Sequence, residues 1–408
     1  MTTTAATRRD QSGGRGSARS RYLGKSVGRP AAPDPAEEAE RLREERGRRY
    51  RLLYAIWRVT SLPQTAFCAR YLHGGADFAT VQLRDGRAGW GGLRSCKSIH
   101  ACPRCSPVIR QRRYEQIERL GLAHAKAGGG LGFLTVTLPH TKADPLADSL
   151  DTVLNGWRAV QQSRAVRSLF TRLGVLGSIR ATEITRGYRG WHPHTHLLMF
   201  TTRPLTAAEL AEIEEAVYKA WARYVARRGY GAPSREHGVV MRPVDMSRGT
   251  DGLSAYLAKV HDAFGKSTTI ALEMARGDLK RGRKGSRTPF EIAESAAAGH
   301  GGDLKLWHEY EAATKGRSVI YVPPKLSALY GVEDVTDDQA VEEAESAPAV
   351  AALDAAEYAL VVRYRACAAM LTAAELRGGD AVYERLRALI RRDRVDAARA
   401  ARKAAASP

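Results

Sequence analysis

Apolar and polar positions in the middle of the chain alternate with two different periods, and these periods predict its secondary structure. Residues 132–138, GFLTVTL, are short, apolar and rich in β-branched side chains, which favours a strand. From about 148 to 173 the apolar residues recur every three or four positions, as on one face of a helix. Two further strands are predicted at 177–185 and 195–200, joined by the glycine-containing loop RGYRGWHP.

The pattern continues with a second helix and a further strand. Thr206 and Glu209 stand three residues apart before an apolar repeat, which is typical of a capping box at a helix start. Residues 237–246 predict a strand, and residues 252–264 predict a helix closed by a glycine. The order β-α-β-β-α-β, followed by a helix, predicts the α+β class: a ferredoxin-like antiparallel sheet with its helices on one face.

The patterning changes on both sides of this core. The N-terminal residues have too little apolar surface to offset the entropy of ordering, and a run of acidic residues near position 340 predicts a linker. The predicted segments are, in order, a disordered basic arm (1–33), an N-terminal helix (34–67), a cysteine module (68–115), the core domain (116–330), an acidic linker (331–350) and a helical C-terminal extension (351–408).

The overall charge indicates a class of partner. The 408 residues include 64 Lys and Arg against 44 Asp and Glu, a formal net charge of +20. A charge of this sign and size favours a polyanion, with nucleic acid the first candidate and an anionic membrane the second. No apolar run is long enough to span a bilayer, and the N-terminus lacks the apolar segment of a secretory signal. We therefore expect a cytoplasmic protein with no membrane partner.

Three of the eleven histidines fall within five positions of WHPHTHLLMF (191–200). Pro193 favours a strand that starts at His194, and residues i and i+2 of a strand share a face, so His194 and His196 are a natural pair of metal ligands. Glu183, on the preceding strand, can lie beside them in an antiparallel hairpin. Two imidazoles and a carboxylate favour Mn²⁺ or Mg²⁺ in an open site. The alternative is that these histidines lie in a loop and at an edge with no shared role.

The helix predicted at 252–264 offers a nucleophile. Tyr256 and Lys259 are three residues apart and so share a helix face. A tyrosine near a divalent ion can attack a phosphodiester, and a lysine beside it can stabilise the phenolate or the phosphate. On the helical pattern alone, a tyrosine that only packs is equally consistent.

Most of the cysteines are clustered in one part of the chain. The five are Cys68, Cys96, Cys102, Cys105 and Cys367. In a chain without a secretory signal, such clustering favours metal binding over disulfides, and reduced cysteines without a ligand are the alternative. The CPRC knuckle and the cysteine before it can bind Zn²⁺ if a fourth ligand is present. Cys68 would complete a structural Cys₄ site, and His100 and His73 compete for that place; Cys367 is expected only to be buried.

Basic residues near the cysteines and beyond the core are candidates for phosphate contact. The cysteine module is expected to position DNA, with Arg110, Arg112 and Arg113 on the helix that follows. The loop RGDLKRGRKGSR (276–287) suits non-specific contact with phosphates, because a charge run is more often a solvated face than a specific reader. The candidates in this loop are Arg281, Arg283, Lys284 and Arg287.

Three stretches, in order and at fitting distances, carry a resemblance to a known family. FLTVTLPH (133–140), WHPHTHLLMF (191–200) and AYLAKV (255–260) look like motifs 1, 2 and 3 of the HUH endonucleases. More narrowly, they resemble the replication initiators (Rep) of rolling-circle plasmids and integrative elements of Gram-positive bacteria, including actinobacteria. The resemblance extends from about Cys68 to Pro324 and includes the cysteines, RTPFEI and LWHEYEAATKGRSVIY.

The resemblance implies a reaction and its partners. His194 and His196 would bind the metal, and Tyr256 would attack the origin DNA and remain on the 5′ phosphate of the nicked strand. The free 3′-hydroxyl would then prime leading-strand synthesis, with a host helicase and polymerase as further partners. The HUH nuclease core would be the ferredoxin-like sheet.

The chain departs from the family pattern at two places. Thr195 stands where the middle residue of His-U-His is normally apolar, a change that a half-exposed strand tolerates. Gly252 stands where relatives often have a glutamate thought to activate water at termination, and Asp251 is one step earlier. Either Asp251 takes over this role or another group makes the second attack.

Two other functions are compatible with the same residues. A conjugative relaxase or a single-strand transposase would use the same chemistry for a different purpose. A zinc-stapled DNA-binding regulator with inert histidines would bind DNA without a catalytic metal and form no covalent adduct.

Overall fold

A computed structural model of the chain describes residues 34–244 and 285–405. The chain divides into two units, Met1–Leu42 and Arg43–Pro408. In the described part of the first unit, a helix has begun and Arg41 pairs with Glu38 at 2.6 Å. The sheets, the cores and the candidate sites lie in the second unit.

The described residues alternate between short strands and helices. The strands are β1 (Ala79–Arg84), β2 (Arg87–Gly91), β3 (Gly130–Thr137), β4 (Val175–Gly187), β5 (Gly190–Thr201), β6 (Val239–Pro243), β7 (Ile320–Tyr321) and β8 (Ala349–Leu353). The helices are α1 (Pro35–Val59), α2 (Pro63–Phe67), α3 (Cys105–Lys126), α4 (Leu146–Gln162), α5 (Arg164–Arg172), α6 (Ala207–Arg227), α7 (Pro289–Ala297), α8 (Gly301–Thr314), α9 (Pro324–Leu329), α10 (Asp337–Ala344), α11 (Ala355–Arg363), α12 (Cys367–Arg377) and α13 (Gly379–Ala405). Among these helices, none is long and apolar enough to cross a bilayer.

The larger sheet has five strands in the order β6-β3-β5-β4-β7, and every neighbouring pair is antiparallel. Helices α4 and α5 lie between β3 and β4 in the chain, and α6 lies between β5 and β6. The predicted α+β class and the predicted β-α-β-β-α-β order are therefore present. The predicted helix at 252–264 lies outside the described residues.

Helices cover both faces of this sheet, where the sequence predicted helices on one face. Leu197 and Met199 pack in one core with residues of α4, α5 and α6. Leu198 and Phe200 point the other way, into a second core that also contains Leu120 of α3. The apolar run LLMF was the signal that was missed, because a strand buried on both faces shows a continuous apolar run rather than alternation.

Some of the predicted starts of helices and strands agree with the structure, and others do not. The capping box is present: Glu209 N donates to Thr206 Oγ1 at 3.3 Å, and Thr206 N donates to Glu209 Oε2 at 2.8 Å. The single helix predicted at 148–173 is two helices, separated at Ser163. The predicted strand start at His194 is wrong, since β5 begins at Gly190. The ladder between β5 and β3 ends at His194, so Pro193 has a neighbouring strand on one side only and is tolerated there.

The smaller sheet joins the cysteine module to the C-terminal region. Its order is β2-β1-β8, with Ala79 of β1 opposite Leu353 of β8. Trp90 of β2 contacts Tyr358 of α11 edge to face, with ring centroids 5.1 Å apart. The predicted helical C-terminal region is confirmed, but it shares a core with the cysteine module and is not a separate extension.

The segment predicted as an acidic linker contains a helix, α10, that packs on α3. Arg113 of α3 pairs with Asp334 and with Asp337 at 3.0 Å each. Arg112 pairs with Glu343 at 3.3 Å. The acidic residues are thus partners of basic residues more than 200 positions earlier, which a local charge pattern does not reveal.

Candidate functional site

Two strands bring a carboxylate and two imidazoles to one point. The register of β4 and β5 places Glu183 directly opposite His194. Glu183 Oε2 lies 3.4 Å from His194 Nε2 and 3.6 Å from His196 Nε2. One ligand atom from each of the three residues falls within 4.8 Å of the other two, so the three side chains can hold a metal ion. The hairpin geometry expected from the sequence is therefore present.

His196 is fixed from two sides. Its ring stacks on Phe133 with centroids 5.4 Å apart and planes 16° apart. Its Nδ1 lies 3.1 Å from the hydroxyl of Thr135, which is its register partner on β3. A hydrogen bond to one ring nitrogen sets the orientation of a metal-binding histidine, and here the arrangement directs Nε2 of His196 towards Glu183.

Two more histidines extend the pair into a row of imidazoles. His192 stacks on His194 with centroids 5.0 Å apart, and its Nδ1 lies 3.3 Å from Nδ1 of His140. Burial, with the adjacent His194 and His140, lowers the pKa of His192 to about 3, so this ring is neutral at ordinary pH. The sequence pattern gave no role to His192 or to His140. The signal for His140 was its place at the end of FLTVTLPH, beside the strand that pairs with β5.

The donor set fits a divalent ion. Neutral imidazole and carboxylate ligands suit first-row divalent metals, and a carboxylate suits Mn²⁺ and Mg²⁺. In an octahedral complex with bonds of about 2.1 Å, neighbouring ligand atoms are roughly 3 Å apart. The separations of Glu183 from the two histidines exceed this by about half an ångström. A small movement of side chains would bring all three atoms to bonding distance.

The stretch LWHEYEAATKGR braces the region around this site. Glu309 of α8 accepts from the indole N–H of Trp191 at 2.8 Å and from the N–H of Leu146, at the start of α4, at 2.9 Å. Glu311, fully buried, accepts from Ser61 N and Ser61 Oγ at 2.8 Å each. These acids hold the strand that carries the histidines and the residues that follow α1, so their contacts are structural.

The four clustered cysteines converge as predicted. Cys68 Sγ lies 3.5 Å from Cys102 Sγ and 3.6 Å from Cys105 Sγ, and Cys96 Sγ lies 3.9 Å from Cys105 Sγ. In a tetrahedral site with Zn–S bonds of about 2.3 Å, the sulfurs are about 3.8 Å apart. The cluster can hold a metal such as zinc. Contacts with the other sulfurs, first that of Cys102, lower the pKa of the Cys68 thiol, which favours the thiolate that a metal requires.

The competing fourth ligands of this cluster are placed elsewhere. His100 Nδ1 lies 3.3 Å from Tyr310 Oη, and its Nε2 lies 3.0 Å from the carbonyl of Arg317. His73 is exposed. Cys68 is therefore the fourth member of the cluster. Cys367 is fully buried, as expected, and it lies outside the cluster.

The residues predicted for the reaction and for phosphate contact lie mostly outside the described part of the chain. Tyr256, Lys259, Asp251, Arg281, Arg283 and Lys284 lie in residues 245–284, outside the described residues. Arg287 is described, and its guanidinium donates to Asp303 at 2.7 and 2.8 Å. Its backbone N–H also bonds to the carbonyl of Arg186 at 2.7 Å. The side chain of Arg287 is therefore paired with the start of α8, and its backbone is bonded to β4. The side chain is still 39% exposed, and its contact with DNA phosphates stays a prediction.

Comparisons with known proteins agree with the motif resemblance. Residues 92–221 match the family model described as a replication protein. They contain all four histidines of the row, Glu183 and three of the four clustered cysteines. The chain is 31% identical over 299 residues to "Protein rep" from Streptomyces lividans, covering 59% of this chain and 65% of that protein's length. It is 34% identical over 134 residues to "Neomycin resistance protein" from Streptomyces cyanogenus, covering 26% and 30%. No solved structure matches. The resemblance to a Rep protein of the Gram-positive, actinobacterial type is confirmed.

Proposed function

We propose that this chain, whose residues 92–221 match a replication-protein family model, initiates rolling-circle replication by nicking one DNA strand at an origin and joining that strand to Tyr256. The observation that carries the proposal is the convergence of Glu183, His194 and His196 within 4.8 Å on adjacent strands of the matched domain. Two imidazoles and a carboxylate in a basic chain suit phosphodiester chemistry better than a purely structural site. Mn²⁺ or Mg²⁺ is the proposed ion at this site.

The residues of the chain divide the reaction among them. Glu183, His194 and His196 hold the ion, which when bound supplies positive charge to the scissile phosphate. The phenol of Tyr256 gives up its proton to solvent, its oxygen attacks phosphorus, and the bond from phosphorus to the 3′ oxygen breaks. The 3′ oxygen takes a proton and leaves as the 3′-hydroxyl that primes synthesis. Lys259 stabilises the phenolate, and Asp251 is the proposed group that activates water at termination.

The proposed setting follows from this reaction. The partner is DNA, recognised as a duplex at the origin and as a single strand at the nick. A host helicase and a polymerase extend the 3′ end, and the reaction takes place in the cytoplasm. The basic residues Arg281, Arg283 and Lys284 contact phosphates without reading sequence.

A nicking assay tests the proposal. The protein is incubated with a supercoiled origin-bearing plasmid and Mn²⁺ or Mg²⁺, and SDS-resistant protein–DNA adducts are separated on a gel. We expect an adduct with the wild-type protein and none with Tyr256→Phe. Tyr188→Phe is the matched control, because Tyr188 is 74% exposed at the tip of the β4–β5 hairpin and its removal should leave the adduct intact.

A second variant separates catalysis from binding. His194→Ala should abolish nicking while salt-sensitive DNA binding persists, since binding depends on the basic surface. An adduct that persists in Tyr256→Phe would contradict the assignment of the nucleophile. No nicking by the wild-type protein on any origin-bearing DNA would favour a zinc-stapled regulator instead.

A further inference from the structure

The helix expected to present arginines to DNA is covered by acidic residues. Arg112 and Arg113 of α3 are paired with acids of the α10 segment at 3.0 to 3.3 Å. Arg104, at the start of the same helix, pairs with Glu345 at 2.8 Å. If the cysteine module contacts DNA, it therefore uses a surface other than these arginines of α3.

A different surface of the module carries exposed aromatic rings under arginines. We call it the aromatic–arginine patch and define it as Phe67, Arg70, Tyr71 and Arg94. Phe67 is 38% exposed and Tyr71 is 47% exposed, and their rings meet edge to face at 5.8 Å. The guanidinium of Arg94 lies 5.4 Å from the ring centre of Phe67, and that of Arg70 lies 5.7 Å from the ring centre of Tyr71. Within residues 34–244 and 285–405, neither arginine forms an ion pair.

The patch is held rigidly by the cysteine cluster and by backbone hydrogen bonds. Cys68, a fully buried member of the cluster, lies between Phe67 and Arg70 in the chain. Ala69 N donates to the carbonyl of Arg94 at 2.7 Å, and Arg94 N donates to the carbonyl of Tyr71 at 2.9 Å. A backbone fixed in this way holds the two rings at set positions on the surface, so less conformational entropy is lost when a ligand binds to them.

We propose that the aromatic–arginine patch binds single-stranded DNA, with bases stacked on Phe67 and Tyr71 and phosphates bound by Arg70 and Arg94. Rings in a positively charged surface are the combination by which proteins hold a single strand without reading its sequence. Because the two arginines form no ion pair with an acidic residue in the described part of the chain, their charge favours a polyanionic ligand over a protein partner. The proposal takes from the proposed function only the identity of DNA as partner, and it concerns a surface distinct from the histidine site.

Binding to two matched strands tests the proposal. The affinity of the full-length, zinc-loaded protein is measured by fluorescence anisotropy for a labelled oligo-dT and for an abasic deoxyribose–phosphate strand of the same length. No Mn²⁺ or Mg²⁺ is added, so that nicking does not contribute. We expect the wild-type protein to prefer oligo-dT, and Phe67→Ala/Tyr71→Ala to lose about ten-fold in affinity for oligo-dT with little change for the abasic strand.

Three controls keep the outcome specific. Tyr71→Phe keeps the ring and should bind oligo-dT as the wild type does. Tyr321→Ala removes another half-exposed ring with an arginine over it, 5.7 Å from its centre, and should have no effect. Zinc content equal to that of the wild type shows that the module of the double variant is intact.

Each unfavourable result has a separate meaning. Unchanged affinity of the double variant for oligo-dT would overturn the proposal and favour a protein partner for the patch. An equal loss with Tyr321→Ala, or an equal loss for both strands, would also overturn it, because stacking at this patch would not be the cause. His194→Ala should bind oligo-dT normally, so failure of the nicking proposal is distinguishable from failure of this one.

Discussion

At the residue scale, Glu183 sets the charge of the histidine site. It supplies the carboxylate among the three groups that can hold a metal ion, and its oxygen lies 3.4 Å from His194 Nε2. We expect Glu183→Gln to lower the affinity for Mn²⁺ at least ten-fold, or about 1.4 kcal/mol, because a neutral amide oxygen replaces an anionic ligand. Isothermal titration calorimetry measures this. Glu236→Gln is the control, since that side chain is 84% exposed and outside the site; an unchanged affinity in Glu183→Gln would exclude Glu183 as a ligand.

Glu311 is expected to stabilise the folded state. It is fully buried, and its carboxylate accepts from Ser61 N, Ser61 Oγ and the hydroxyl of Thr60. We expect Glu311→Ala to lower the free energy of unfolding by about 3 kcal/mol, because three hydrogen bonds to a fully buried, charged acceptor would be lost. Denaturant unfolding measures the loss. Glu294→Ala, on the exposed face of α7, should change stability by no more than about 0.5 kcal/mol. Equal losses in both variants would contradict this account.

The residues that the sequence located correctly depend on local geometry. Glu183 and His194 are eleven positions apart across one hairpin, and antiparallel pairing is enough to place them side by side. Glu311 and His140 depend instead on contacts between distant segments. Ser61 is 250 positions from Glu311, and His192 is 52 positions from His140. No period or spacing in the chain carries that information.

At the scale of elements, Glu375 connects three of them. From α12 it accepts from Arg46 of α1 at 2.8 Å and from the N–H of Ala88, in β2, at 2.8 Å. We expect Glu375→Ala to lower the free energy of unfolding by about 3 kcal/mol or more, because Arg46 would lose its partner in a largely buried position. Thermal unfolding measures the loss, with Glu384→Ala as the control. Glu384 pairs with Arg377, both side chains are more than half exposed, and this pair should contribute less than about 1 kcal/mol. A similar loss in the two variants would contradict the bridging role.

The same contacts give the sign of a pH effect. Burial opposes ionisation of Glu375, but the contacts with Arg46 and Ala88 outweigh it and hold the pKa of this carboxyl below its ordinary value. The folded state therefore binds this proton less readily than the unfolded state. The stabilisation is complete above the ordinary pKa of a glutamate and is lost as the pH falls through the lowered one. In Glu375→Gln the component of acid destabilisation due to this group should be absent.

The docking of α10 on α3 is a contact that the sequence could not predict. Seven acids without a base in residues 333–346 suit a solvated linker when only the neighbouring residues are considered. The structure pairs six of them with Arg112, Arg113, Lys97 and Arg104. We expect Arg113→Ala to increase hydrogen exchange in residues 334–345, more at low salt than at high salt, because salt already weakens these pairs in the wild type. Arg119→Ala, at an arginine of α3 with no ion pair in the described residues, is the control; equal exchange in wild type and Arg113→Ala would show that apolar contacts hold α10.

At the scale of the whole molecule, segments that are far apart in the chain pack together in one core. The predicted boundaries separated the cysteine module from the C-terminal helices by more than 200 residues. The structure joins them through the β1–β8 pairing and through a core that contains Cys105, Trp90 and Tyr358. The sequence identified the type of each element there, because strand and helix periods are local. It could not show that β8 joins the sheet of the cysteine module, because the apolar face of a strand does not identify the strand with which it pairs.

Because of this shared core, we expect loss of zinc from the cysteine cluster to destabilise the C-terminal region. Metal binding at a structural Cys₄ site contributes on the order of 10 kcal/mol, comparable with the stability of a whole domain. We expect Cys102→Ser to lose zinc and to increase hydrogen exchange in β8, because β8 pairs with β1 beside the cluster. Cys367→Ala is the matched control, since Cys367 is equally buried but outside the cluster, and it should retain zinc. Unchanged exchange in β8 after zinc loss would mean that the module folds independently of the C-terminal region, in spite of the sheet that they share.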